Sequence, residues 1–360
     1  MKSNGVLART LTWANAVAVR YLDWGRWYPD MLGYGGYGST DAARIMGRVL
    51  MTRKDDQRAW LGGKAGWHQY VDVHVAGQPV LVRLGDSTAI LESDEGGYID
   101  VRIYGHGLKP GWHHAQMQVI NRSDWKRSAD KSLAGLRAAG VRLGKPRSFP
   151  VRIIGPDETV GVISDVDDTI MVTMMPRPLQ AAKAAFLEKA DSRQPVPGMA
   201  KLLSRLGQTN VGTEAPSPVI YLSTGAWNVA PTLRRFLHVH GYPRGGLLLR
   251  PWGLNASGLA PSGTKHKVTQ FERLTDLLPH VRWYLLGDDG QHDPATFTTI
   301  ARRYPDRVAG IFIRNLSGAE HVLQHGSASP RHALGDIPGH IPVFTGADGH
   351  ELARAFTAQR

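Results

Sequence analysis

Ten residues constrain this chain more than any others: Gly161 to Ile170, reading GVISDVDDTI. Gly161-Val162-Ile163-Ser164 is short, apolar and β-branched, as a buried parallel strand should be. It runs abruptly into Asp165, Asp167 and Asp168, followed by Thr169. A buried strand tolerates three carboxylates only where it ends in a crevice facing water. In open α/β sheets that crevice, at the carboxyl ends of the strands, is where ligands bind. Carboxylates this close repel one another, and a hard cation such as Mg²⁺ relieves the repulsion through oxygen ligands. The plainer explanation is an acidic turn in which Asp168 or Thr169 caps a helix.

Beyond residue 155 the pattern alternates between strands and helices, which implies a parallel sheet. Strands are expected at Gly161-Ser164, Val219-Leu222, Leu247-Leu249, Arg282-Leu286 and Ala309-Ile313. Helices fit between them, at about 179–189, 199–206, 229–238, 265–278 and 295–304. An apolar piece, Ile341-Phe344, precedes a last helix beginning near Gly349, and 325–340 reads as a connecting loop. Three further stretches then stand out. Ser223-Thr224-Gly225 follows the apolar run Tyr221-Leu222, Lys265-His266-Lys267 opens a helix, and Asp288 to Asp293 reads DDGQHD after a strand. A parallel sheet can bring all four acidic, hydroxyl and basic stretches to one crevice.

Together they hold what phosphoryl transfer needs. A carboxylate can attack phosphorus and split one hard step into two easier ones. A second acid protonates the leaving oxygen and later activates water. A metal ion and cationic or hydrogen-bonding groups neutralise the transferring group. Asp165 and Asp167 can serve as nucleophile and acid/base, Asp288 can complete a Mg²⁺ site with Asp165, Ser223 can donate to a phosphoryl oxygen, and a lysine can balance charge.

The ordered set resembles the four motifs of the haloacid dehalogenase-like (HAD) phosphatase superfamily: DxDxT at Asp165, Asp167 and Thr169, then Ser223, a lysine, and the acidic pair Asp288 and Asp293. The resemblance implies a phospho-aspartyl mechanism, with Mg²⁺ held by Asp165, Asp288 and the backbone carbonyl of Asp167. Asp293 would orient metal waters or the lysine, and Thr169 would shape the loop. VISDVDDTIMVT, YLSTGAWNVAPTLRRFL, HKVTQFERL and LLGDDGQHDPATF narrow the match over about residues 155 to 320. They look like the catalytic domain of the actin-patch-protein phosphatidate phosphatase family, whose known members hydrolyse phosphatidate to diacylglycerol and phosphate. That family's His-Lys pair falls on His266-Lys267, which assigns the catalytic lysine to Lys267, with Lys265 second. Family members often carry serine at 289 and lysine at 292. Here they are aspartate and histidine, a departure expected to touch substrate choice more than chemistry. The resemblance also implies a Rossmannoid parallel sheet. The gaps 170–218 and 225–264 hold no obvious folded insert, so the cap is expected to be minimal, as suits a membrane-presented substrate. Met174-Met175, Trp227 and Trp252 lie near the motifs and can contact acyl chains or simply pack locally.

Upstream the patterning differs. Residues 5–28 read as an amphipathic, aromatic-rich helix within an arm spanning 1–40, packed on its own domain or lying on a membrane surface. LGYGGYGST at 32–40 reads as a helix-breaking turn. From 41 to 154, short alternating runs separated by glycine turns read as a small β-sandwich. Within it 121–148 is a strongly basic excursion, either a phosphate-attracting patch or a solvated surface. The histidines His68, His74, His106, His113 and His114 are scattered, and a metal cluster among them is the lesser expectation beside unrelated local roles.

Lys plus Arg number 43 against 31 for Asp plus Glu, a net charge of +12. That surplus favours polyanions, although no nucleic-acid-binding motif accompanies it and no nucleic acid partner is expected. There is no cysteine, so there is neither a disulfide nor a thiolate metal site, in keeping with a reducing compartment. Met1 to Arg20 lacks the apolar core and cleavage site of a signal peptide, and no apolar run is long enough to span a bilayer.

The expectation is therefore an α/β chain: a β-sandwich domain followed, at 155–360, by a HAD-like phosphatase domain. Its activity would be that of a phosphoric monoester hydrolase, a Mg²⁺-dependent phosphatidate phosphatase. Its partners would be phosphatidate or a related phospholipid and an acidic membrane surface, in a cytoplasmic setting with peripheral attachment. The alternatives are a HAD-type phosphatase for another phosphomonoester, and a peripheral acidic-lipid-binding module with secondary catalysis.

Overall fold

The computed structural model describes residues 15, 17–19, 27–53, 73–172, 193–208, 217–251, 263–325 and 334–359. The chain is α/β and divides into two units near residue 155. Met1–Gly155 belong to the first, Pro156–Arg250 and Pro261–Arg360 to the second.

The described strands of the first unit are β1 (Trp27–Gly38), β2 (Ala42–Arg53), β3 (Pro79–Leu84), β4 (Ser87–Glu92), β5 (Tyr98–Tyr104), β6 (Gly111–Val119) and β7 (Arg147–Ile153). They hydrogen-bond as one seven-stranded sheet in the order β4-β3-β6-β7-β1-β2-β5. Neighbours run antiparallel, except that β1 and β7 are parallel. The sheet curls until its two edges meet, where Ser87 of β4 donates to the carbonyls of Tyr104 and Gly105 at the end of β5. Alternate residues such as Ile45 and Val49 of β2, Val80 and Val82 of β3, Met117 of β6 and Val151 of β7 form its core.

The helical arm over 1–40 requires correction. Its last part, Trp27–Gly38, is a strand, because its glycines serve close approach rather than a turn. A Cβ at Gly33 would lie 2.0 Å from the Phe149 ring, and one at Gly38 would lie 2.2 Å from the Ala42 carbonyl oxygen. Gly35 has φ 98°, at a register shift against β2, so this strand bends at a bulge. Arg147 of β7 donates to both oxygens of Asp30 at 3.0 Å, fastening β1 further. Residues 15 and 17–19 are helical, and Val19 packs against the sheet's core. The remainder of 5–26 lies outside the described residues, as do helix 179–189, Met174-Met175, Trp252 and, within the two gaps expected to hold a minimal cap, residues 173–192, 209–216 and 252–262.

The basic excursion folds into two short helices, α1 (Arg122–Arg127) and α2 (Leu133–Ala138), capped by Asn121 and Ser132. Asp124 accepts hydrogen bonds from both Arg127 and Arg142, while Lys126, Arg137 and Lys145 stay exposed. Two of the histidines contact the backbone. His106 lies between the Ser39 carbonyl and the Leu108 amide, and His113 contacts the Lys109 carbonyl.

In the second unit, β8 (Val160–Ser164), β9 (Val219–Ala226), β10 (Gly246–Arg250), β11 (Arg282–Asp288), β12 (Val308–Arg314) and β13 (Val343–Gly346) form a wholly parallel sheet, ordered β10-β9-β8-β11-β12-β13. The described helices are α3 (Met199–Leu206), α4 (Ala230–Val239), α5 (Gly263–Leu277), α6 (Asp293–Arg303), α7 (Gly318–His325) and α8 (Gly349–Ala358). The order runs outward from β8 to β10 on one side and from β11 to β13 on the other. The crevice between β8 and β11 is thus a topological switch point, where ligands bind in sheets of this kind. Among the described residues no helix is long and apolar enough to cross a membrane.

Candidate active site

The site is built on β8. Val162 and Ile163 are buried, and Gly161 leaves room for Trp283, whose ring a Cβ there would meet at 2.4 Å. The strand ends at Ser164, and the Asp165 amide then donates to the Leu286 carbonyl of β11 at 2.8 Å. Asp165 is thereby held beside the end of the strand that delivers Asp288. The chain turns at once. The Ile170 amide bonds back to the Val166 carbonyl at 3.1 Å, and Asp168 takes the left-handed backbone, φ 59°. Residues 168–170 form a turn rather than a helix, so Asp168 is not a helix cap.

One carboxylate oxygen from each of Asp165, Asp288 and Asp293 lies within 4.8 Å of the others, and all three residues are buried. Thr169, fully buried, stands 3.4 Å from both Asp165 Oδ2 and Asp288 Oδ2. The Gly290 and Gln291 amides donate to Asp288 Oδ1 at 2.8 and 3.1 Å, which fixes its rotamer. Asp293 opens α6 with Pro294 behind it, a favourable place for an anion. Gly287 admits it, since a Cβ there would lie 2.4 Å from Asp293 Oδ2. Lys267, buried in α5, donates to Asp165 Oδ1 at 2.7 Å and also to Asp293. Lys265 on the same helix is exposed. Ser223 of β9 donates to Asp167 Oδ2 at 3.3 Å, and its own oxygen accepts from the Gly225 amide at 2.9 Å. All seven residues singled out in the sequence (Asp165, Asp167, Thr169, Ser223, Lys267, Asp288 and Asp293) therefore converge at one end of the sheet. Trp227 is buried just after β9.

The electrostatics are unbalanced. Burial pushes the Asp165 carboxyl up to about 7; Lys267 pulls it down, while Asp293 and Asp167 push it further up. Burial, then the charges of Asp293, Asp165 and Asp168, hold Asp288 well above the usual carboxylate range. Burial alone would lower Lys267, but the two carboxylates outweigh it and hold the ammonium above its ordinary value. Among the described residues one ammonium bonds these carboxylates, and it cannot neutralise them all. Asp293 Oδ2, moreover, is buried with no hydrogen-bond partner. An all-oxygen, carboxylate-rich donor set with an orphaned oxygen fits a hard divalent cation.

Asp289 turns the other way. It accepts from the Leu316 amide at 2.9 Å and lies 3.3 Å from His321 Nε2 on α7. The aspartate at this position thus braces a neighbouring helix, whereas His292 is exposed. The sequence reading also passed over Arg314 and Glu320, which reach the site from behind. The signal was present as Ser317-Gly-Ala-Glu320, a capping box. The Ser317 amide donates to Glu320 Oε2 at 2.8 Å, and the Glu320 amide donates to Ser317 Oγ at 3.3 Å.

Residues 160–315, the segment that carries Asp165, Asp167, Thr169, Ser223, Lys267, Asp288 and Asp293, match the family model described as "Phosphatidate phosphatase APP1, catalytic domain". Phosphatidate phosphatase APP1 of Saccharomyces cerevisiae is 23% identical over 197 residues, which is 54% of this chain and 30% of that protein. An uncharacterized protein of Schizosaccharomyces pombe is 24% identical over 160 residues, 44% of this chain and 25% of its own length. The chain thus spans no more than 30% of these curated relatives. Among solved structures, a carbohydrate acetylesterase from Xanthomonas citri aligns over 92% of this chain and 73% of its own at 9% identity, with a TM-score of 0.30. That likeness is too slight to bear on fold or activity.

Proposed function

We propose that this chain is a Mg²⁺-dependent phosphatidate phosphatase with a HAD-like, minimally capped catalytic domain, a reading supported by the match of residues 160–315 to the APP1-type phosphatidate phosphatase catalytic-domain model. One observation carries the reading. Asp165, Asp288 and Asp293 crowd their oxygens within 4.8 Å, with Lys267 bonded to two of the three.

In the first step a carboxylate oxygen of Asp165 attacks phosphorus, and the bond from phosphorus to the glycerol oxygen breaks. Asp167 gives its proton to the departing diacylglycerol oxygen. In the second step water attacks phosphorus, Asp167 takes up the water's proton, and the phosphorus–Asp165 bond breaks. Phosphate leaves and the carboxylate is restored. Ser223 turns its hydroxyl to a phosphoryl oxygen, and Lys267 holds Asp165 in line and offsets the charge on the transferring group. Thr169 keeps the loop in register between Asp165 and Asp288. Asp165, Asp288 and the Asp167 carbonyl would hold Mg²⁺, with Asp293 orienting its surroundings, and the ion would supply neutralisation of phosphoryl charge.

The substrate is proposed from the family and from the +12 net charge, which favours acidic lipid surfaces and a peripheral association. The test is phosphate release from phosphatidate, lysophosphatidate, diacylglycerol pyrophosphate and soluble phosphoesters, with and without EDTA. Release from phosphatidate that EDTA abolishes and Mg²⁺ restores is the expected result. Release indifferent to chelation would sink the Mg²⁺ mechanism, and turnover of soluble esters alone would sink the lipid assignment.

A further inference from the structure

Arg314 closes β12 and is buried, at 6% exposure. Its guanidinium spends three nitrogens on three different pieces of chain. Nη1 donates to the Asp168 carbonyl at 2.6 Å, Nη2 to Glu320 Oε1 at 2.7 Å, and Nε to the Ala347 carbonyl at 3.0 Å. Its main-chain carbonyl accepts from the Asp289 amide at 3.0 Å. One residue thereby touches both acidic loops, the one carrying Asp165 and Asp167 and the one carrying Asp288. The contact on the first falls at a particular point. Asp168 is the one described non-glycine residue with positive φ, a conformation that L residues hold only when their surroundings fix it. Glu320 is itself locked by the Ser317 amide and hydroxyl, so the arginine's anchor is rigid.

We propose that Arg314, oriented by Glu320, is a positioning residue: it pins the left-handed Asp168 and so sets the separation of Asp165 and Asp167 from Asp288. The planar fork is essential to this role, because a lysine's three donors leave one nitrogen and cannot reach the three separate positions met by Nε, Nη1 and Nη2. The kinetic part of the test rests on the phosphatase reading above; the binding part does not.

The experiment compares wild type with Arg314→Lys, Arg314→Met and Glu320→Gln. It measures kcat and KM on phosphatidate in mixed micelles, at a temperature where circular dichroism shows each variant folded, and Mg²⁺ affinity by calorimetry. Arg314→Lys and Arg314→Met are expected to lose on the order of 100-fold in kcat, the scale of a displacement of about 1 Å in a reacting group. KM should hold within about twofold, since the contact never meets substrate. Mg²⁺ should bind these variants about 10-fold more weakly, as when a residue supporting a ligand is lost. A folded Arg314→Lys with wild-type kcat overturns the proposal whatever Arg314→Met does. Should Arg314→Met fail to fold, Arg314→Lys and Glu320→Gln decide, and undiminished kcat in both overturns it. Should wild type hydrolyse no phosphatidate, the phosphatase reading fails alone. Calorimetry then decides this proposal, and equal Mg²⁺ affinities in wild type and Arg314→Lys overturn it.

Discussion

Two groups of carboxylates in this chain carry opposite charge balances. In the first unit, Asp124 alone serves Arg127 and Arg142, and hydrogen bonds from Arg142 hold its carboxyl down at about 2. In the second unit, Asp165, Asp288 and Asp293 crowd together with the ammonium of Lys267 bonded to Asp165 and Asp293, and burial pushes Asp165 up to about 7. A carboxylate outnumbered by guanidiniums is a finished fastener, content in the protein as it stands. Carboxylates that outnumber their cation are complete only with more positive charge. The same side chain is structural in one place and, on the proposed reading, chemical in the other, and the local balance of charge separates the two.

The contrast can be broken by substitution. The largest effect is expected from Asp165→Asn, which should lower phosphate release at least about 1,000-fold while leaving the circular dichroism spectrum close to wild type. Retained turnover would remove Asp165 from the chemistry. Next, Lys267→Met strips the crevice of its cation. Leaving buried carboxylates unpaired should cost roughly 3–5 kcal/mol of stability in EDTA, part of it recovered by Mg²⁺ in a thermal melt. A variant as stable as wild type without metal would mean that the carboxylates are not charged together. Third, Mg²⁺ at about 100 times its Kd should stabilise wild type by about 2.7 kcal/mol, and Asp288→Asn should reduce that gain. Identical melts with and without the ion would end the cation reading.

The smallest effect belongs to Asp124→Asn, expected to lower Tm modestly and leave kcat unchanged. Its pH dependence has a definite sign. A carboxyl held below its ordinary value of about 3.9 contributes stability above that pH and loses it as pH falls toward 2. The difference in Tm between wild type and Asp124→Asn should therefore close between about pH 4 and pH 2. A difference that persists at pH 2 would assign the effect to packing instead.

The catalytic half was legible because its signals are local. Gly161 to Ser164 announces a buried strand, the acidic and hydroxyl stretches each follow an apolar run that fixes their place on the sheet, and the basic stretch opens a helix. What was not legible depends on contacts far apart in sequence. Trp27 to Gly38 reads as arm and turn because glycine's local preference is loose. Only the Phe149 ring and the β2 backbone, pressed against Gly33 and Gly38, make those glycines strand residues. Arg314 likewise reads as an ordinary polar end to β12; its meaning comes from Asp168, which no periodicity links to it. Asp289 reads as part of an acidic motif, yet its side chain faces the Leu316 amide and His321.

The place of β8 has a consequence for how activity can be acquired during synthesis. It is the first strand of its sheet to leave the ribosome, yet it sits in the middle. One neighbour, β9, arrives with Val219, and the other, β11, only with Arg282. Until β11 docks, the Asp165 amide has no Leu286 carbonyl to meet, and Asp288 is not yet made. Long-range parallel pairing of this kind is slow. A nascent or truncated chain ending before residue 282 carries the whole first acidic loop and no site. In refolding, catalysis should therefore return with the last parallel pairing rather than with collapse, which makes recovered turnover a clock for closure of the sheet.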